Sequence, residues 1–151
     1  MGLYYEDYAS LEPGHRWMSP GRTVSEADIM AFAGLTGDFH PLHVDAHFAA
    51  QSAYGERIAH GYLTASLAAG LAYRVGLDEG TAWAFLSTSW RFGKPVLIGD
   101  TLRVEVELVE VRPSRSQPHC GVVVRRYHAR NQRGEPVATG DVALLCLRRP
   151  D

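Results

Sequence analysis

The stretch GDFHPLH, residues 37–43, gathers one carboxylate and two imidazoles around a proline. Three kinds of chemistry suit such a set. His40, His43 and His47 are spaced i, i+3, i+7, which on one continuous helix would line a single face and could hold a metal. Pro41 argues against that helix, because it biases His40 away from α geometry and cannot itself continue an existing helix. The set also lacks a known metal-ligand motif such as H-E-x-x-H. The second possibility is acid/base chemistry: Asp38 and His43, converging from a loop stiffened by Pro41, could share one water, polarise it and return a proton. An imidazole with an ordinary pKa of about 6.5 gains and loses its proton near neutrality. The third is plain turn chemistry, since Asp after Gly is a common turn residue.

The elements that must position these residues are legible from periodicity. Ser25 can cap a helix through SEADIMAFAGLTG, with Asp28 as a short capping-box acid and Gly37 at the end. Ile29, Phe32, Ala33 and Leu35 supply its apolar face. Asp38 then lies just past a helix end. A short second helix is expected in DAHFAAQSAYG, with Asp45 as cap and Gly55 beyond its end, which puts His43 just ahead of a helix start.

Next comes IAHGYLTASLAAGLAYRVG, in which Leu63, Leu67, Leu71 and Val75 recur every four residues among Ala, Gly and Ser. A helix apolar nearly all round should be buried nearly all round. At about 15 residues it is too short to span a bilayer, which takes about 20. The strand-rich second half supplies its cover. TLRVEVELVEV alternates, with Leu102, Val104, Val106 and Leu108 on one face and Arg103, Glu105 and Glu107 on the other. HCGVVVRRYHARN and PVATGDVALLCLRR follow, separated by NQRGEP, a hairpin punctuated by Gly134 and Pro136. TAWAFLSTSWRF reads as a further strand. The fold class expected is α+β: a single hot-dog domain over residues 1–151, with a long buried central helix wrapped by a curved antiparallel β-sheet.

Bulk composition narrows the function classes. The 151 residues are 46% hydrophobic and 21% charged, with a formal charge of -2, an ordinary globular balance with no general pull toward nucleic acid. Arg112, Arg115, Arg125, Arg126, Arg130 and Arg133 gather late in the chain, either as solvated strand faces or as a local site for a phosphate-bearing ligand. Two isolated cysteines, Cys120 and Cys146, suit a reducing compartment better than a disulfide framework. The opening MGLYYEDYAS lacks the pattern of a signal peptide, and no apolar run reaches membrane-span length. A soluble, cytoplasmic protein is the expectation. GLTGD lacks the spacing of a dinucleotide fingerprint, so no nucleotide or redox cofactor is expected.

FAGLTGDFHPLHVDAHFA, followed seventeen residues after His43 by HGYLTASL, resembles the signature of the MaoC-like dehydratases, or R-specific enoyl-CoA hydratases. YYEDY near the start and WRFGKPVLIGDTLRVEVELVEVRPSRS resemble further stretches of that family, so the likeness covers most of the chain. The resemblance implies the hot-dog fold reached independently above. It implies that Asp38 and His43 hold the catalytic water as an acid/base dyad, while the residue spacing gives no expectation of a metal. Gly61 matches the position whose backbone N–H faces the thioester carbonyl, at a helix N-terminus suited to developing negative charge. His60 matches the family's histidine before that glycine and reads as structural or orienting. The substrate implied is an acyl-CoA or acyl-carrier-protein thioester, and the assembly a homodimer or higher homo-oligomer with the substrate tunnel near the dimer interface.

Two positions depart from the pattern. His40 stands where the family has Asn: it could replace that side chain's turn-fixing bonds, alter the pH response or specificity of the dyad, or mark a lost hydratase activity. Tyr62 stands where such enzymes often carry a flexible apolar residue; it could narrow the tunnel, donate a hydrogen bond, or simply pack in the core. Two other functions remain compatible with a hot-dog domain: an acyl thioesterase, and a non-catalytic acyl-binding partner of a larger synthase.

Overall fold

The alternation in residues 102–108 is a half-buried strand: Leu102, Val104 and Val106 are fully buried, and Leu108 nearly so. This strand and its neighbours organise the computed structural model, which describes residues 2–150. Met1 and Asp151, the ends of the expected domain, lie outside the described residues. In chain order the first half holds α1 (Tyr5–Ala9), β1 (Arg16–Met18), β2 (Arg22–Thr23) and α2 (Glu26–Thr36). It continues with α3 (Pro41–Val44), α4 (Ala46–Ala50) and α5 (Gly61–Tyr73). The second half is β3 (Ala82–Phe92), β4 (Thr101–Pro113), β5 (Cys120–Arg130) and β6 (Pro136–Leu147).

β4, β5 and β6 form the expected antiparallel meander, and β3 pairs antiparallel with β6. The strand order is β1-β4-β5-β6-β3, with β2 also on β4. The two short strands escape a periodicity reading because two or three residues show no period. The inner face of the sheet packs on Leu63, Leu67, Ala68, Leu71 and Ala72 of α5 in one apolar cluster. This is an α+β hot-dog arrangement.

Three expectations need correction. α5 is not buried all round: Tyr62 is 80% and Tyr73 58% exposed, and Ser66 and Gly70 between them are exposed. These positions form one stripe, and the sheet covers only the opposite side. In α2, Ile29 and Ala33 are buried and Phe32 half-buried, but Leu35 is 84% exposed. Two residues beyond Ala33, Leu35 lies about 200° around the helix, away from the core. The helix beginning after Asp45 stops at Ala50, well before Gly55.

The late arginines divide between the two sides of the sheet. Arg125 is fully buried, bonding Asp78 at 2.8 Å and the Tyr8 hydroxyl at 3.2 Å. Arg112, Arg126 and Arg133 pair with Glu110, Asp141 and Glu135, while Arg130 donates to the Gly134 carbonyl. Cys120 and Cys146 are free and buried, and burial pushes the Cys146 thiol up to about 12. Among the described residues no helix is long and apolar enough to cross a membrane.

Candidate active site

The loop begins where α2 is made to stop. Ser25 and Asp28 form the reciprocal capping box at its start, and Arg22 holds the Asp28 carboxylate at 2.6 Å. Gly37 adopts φ 80°, a left-handed conformation open to glycine, and closes the helix with its N–H on the Ala33 carbonyl. Asp38 follows at once, exposed, its Oδ1 accepting from the His40 backbone N–H at 3.2 Å.

Pro41 does not end helical structure here; it starts it. His40 is extended (φ -57°, ψ 133°), as a residue before proline should be, and Pro41 opens the one-turn helix α3 that carries His43. His43 therefore sits inside a short helix as well as just ahead of α4, which Asp45 caps as expected. Nδ1 of His40 accepts from the Leu42 backbone N–H at 3.2 Å and so acts as the N-cap of α3. An Asn side-chain oxygen makes the same kind of bond at such a turn.

His43 is oriented from the far side of the loop. Its Nδ1 lies 2.8 Å from the Ile58 carbonyl, which can only accept, so Nδ1 carries the hydrogen and Nε2 keeps its lone pair. Ile58 in turn bonds Leu42 through its own N–H and bridges to Leu97, while Ala59 bonds Val96. The imidazole thus hangs on a segment pinned to the chain leading into β4. Burial holds the His43 pKa below its ordinary value of 6.5, aided by the neighbouring His60 and His40; the Ile58 bond and Asp38 oppose this. Near neutrality His43 is an uncharged base.

His60 is buried, and its Nε2 donates to the backbone carbonyl of Asp38 at 2.9 Å. Its ring stacks on that of His43, with centroids 3.8 Å apart and planes inclined by 31°. Gly61 follows as the first residue of α5, whose N-terminus has no side-chain cap. Gly61 lines a cavity of about 230 Å³, together with Ile58, Tyr54, Thr64, Phe92 and Lys94. A Cβ at Gly61 would stand 3.3 Å from the Phe92 ring, so a side chain there would crowd the cavity beside the free N–H groups. Larger hollows, of about 590 and 400 Å³, open beside polar side chains of the sheet and contain none of these residues.

The residues named from sequence are brought together unequally. Asp38, His43 and His60 each place an oxygen or nitrogen within 4.8 Å of the others, and Gly61 adjoins them through His60. His40 touches the group through its ring, 5.9 Å from that of His43. His47 turns to Gln51 and takes no part. Tyr62 points outward rather than into the core. The trio has ligand types a metal could use, and one nitrogen of each ring bonds a backbone carbonyl. The Ile58 carbonyl was not foreseeable, because it acts through the backbone and leaves no side-chain signal.

Residues 11–130 match the family model described as MaoC like domain. The chain belongs to the MaoC-like family. Relatives of this MaoC-like chain include the (R)-specific enoyl-CoA hydratase of Aeromonas caviae, 39% identical over 89% of this chain and 95% of that protein. A 3-hydroxybutyryl-CoA dehydratase of Methylorubrum extorquens is 40% identical over 75% of this chain and 68% of its own length. The crystal structure of a MaoC-like dehydratase from Rhodospirillum rubrum superposes with a TM-score of 0.86 at 33% identity, covering 99% of this chain and 100% of that one.

Proposed function

We propose that this MaoC-like chain is a carbon–oxygen lyase that adds water to trans-2-enoyl thioesters and removes it from R-3-hydroxyacyl thioesters. The observation that carries this reading is a ring nitrogen of His43 within 4.8 Å of an Asp38 carboxylate oxygen, in an imidazole whose Nε2 the Ile58 bond leaves free. Two groups this close can share one water, since two hydrogen bonds of about 2.8 Å reach further.

In hydration the pair takes a proton from that water as its oxygen attacks C3. Electron density moves through C2 onto the thioester carbonyl oxygen, where the Gly61 N–H and the N-terminus of α5 stabilise it. The pair then delivers a proton to C2, which restores its starting charge. Water is the reagent and the coenzyme A or carrier-protein arm is part of the substrate, so the cycle needs no separate cofactor.

The working unit is a homodimer in the cytoplasm, each copy a single domain over residues 1–151. β3 is the terminal strand of the sheet, and Trp83, Phe85, Leu86 and Phe92 on it are about half exposed. A second copy covers that edge and the exposed stripe of α5. The reading is tested by following 3-hydroxyacyl-CoA formed from crotonyl-CoA and longer enoyl-CoAs, with an enoyl-carrier series beside it. R-specific product supports it. Release of free thiol instead, or no turnover with any chain length or carrier from folded protein, overturns it.

A further inference from the structure

His60 touches every part of the site yet is too buried to meet a substrate directly. Its Nε2 is 2.9 Å from the Asp38 carbonyl. A carbonyl cannot donate, so the hydrogen sits on Nε2, and the neutral ring is left with a bare lone pair at Nδ1. That Nδ1 is buried and has no hydrogen-bond partner. A buried polar atom left unpaired is costly and needs a reason to persist.

The surroundings supply one. The ring of His60 lies between Phe32 of α2, at 5.0 Å, and His43 of α3, at 3.8 Å. Its backbone is the N-cap of α5, and its carbonyl takes both the N–H and the hydroxyl of Thr64. One side chain therefore sets the main chain of Asp38, the tilt of the His43 ring and the start of the helix that carries the Gly61 N–H.

We propose that His60 is the positioning residue of this site: an imidazole locked in the Nε2–H tautomer that ties the Asp38 backbone to the face of His43 and to the N-terminus of α5. This rests on the reading of Asp38 and His43 as the catalytic pair. A hydrocarbon ring could supply the stack and an amide could supply the donor. The imidazole supplies both at once, and the unpaired Nδ1 is the consequence.

The test has two arms. In the first, long-range proton–nitrogen NMR spectra of the wild-type protein, labelled at histidine, read the tautomer without any substitution. The expected result is a single Nε2–H form for His60 with an unprotonated Nδ1. An Nδ1–H form, or an exchanging mixture, overturns the proposal whether or not the protein turns over any enoyl thioester.

In the second arm, H60F keeps the ring and loses the donor, whereas H60Q keeps a donor and loses the ring. The loss expected for H60F is about 100-fold in kcat, with KM changed by no more than about threefold, because misplacement rather than lost binding is the defect. H60Q should recover about tenfold of that loss. Wild-type kcat in H60F, at an unchanged melting temperature, overturns the proposal. Should H60F fail to fold, the tautomer measurement decides. An inactive wild type that shows the Nε2–H form would instead defeat the functional reading and leave the tautomer and its contacts standing.

Discussion

The Nδ1 atom of His40 accepts a hydrogen bond from the backbone N–H of Leu42, 3.2 Å away. That contact does for α3 what a side-chain amide oxygen does at an N-cap. It explains how a histidine occupies a position where the resemblance calls for asparagine.

His40→Asn should therefore be mild and His40→Ala should not. The asparagine variant keeps an acceptor for Leu42, so its kcat should stay within about threefold of wild type. The alanine variant loses the cap, at about 1 kcal/mol of stability, with a larger fall in kcat as His43 drifts. Urea denaturation and steady-state kinetics on the two variants check this. Equal behaviour of the two would show that the cap does not position His43.

The titration of His43 should follow its neighbours. Burial holds its pKa below 6.5, the neighbouring His60 and His40 push the same way, and Asp38 pushes back. A proton NMR titration should therefore give a midpoint below 6.5 in the wild type, lower still in Asp38→Asn and higher in His40→Asn. The sign for stability follows from the same shift. Between the folded and unfolded pKa values the unfolded chain binds more protons, so the His43 contribution is complete above about 6.5 and declines as pH falls through that window. A midpoint that rises in Asp38→Asn would contradict the proposed contact between the two residues.

The Arg125 network is structural, and its removal should act on stability alone. The guanidinium is fully buried against Asp78, Tyr8 and Tyr127. Asp78→Ala strands a buried charge and should cost about 3–5 kcal/mol in urea denaturation, with KM unchanged in the protein that remains folded. A loss below about 1 kcal/mol would mean that water reaches Arg125 and screens it.

Much of this was legible in the sequence, for physical reasons. Leu102 to Leu108 alternate because one face of β4 is buried, and Ser25 with Asp28 marks a helix start because the reciprocal cap needs those side chains. Asp38 and His43 stand out because titratable pairs braced by proline are uncommon in plain turns. Arg125 could have been separated from Arg126 by the same alternation, since it shares the inner face with Val123, Tyr127 and Ala129. What stayed hidden acts through the backbone or through packing. The Ile58 carbonyl, the tether from His60 to Asp38 and the exposed stripe of α5 depend on where distant segments meet. Small residues along α5 also do not say which side the sheet will cover.

The central claim is that Asp38 and His43 hydrate an enoyl thioester, and one comparison tests it most directly. Crotonyl-CoA is incubated with the wild type, Asp38→Asn and His43→Gln at matched folded concentration, and 3-hydroxybutyryl-CoA is resolved by configuration. The account predicts the R product from the wild type and a loss of at least about 100-fold in kcat in each variant, the scale of a lost acid/base group. R-specific turnover that survives either substitution within a few-fold would contradict it.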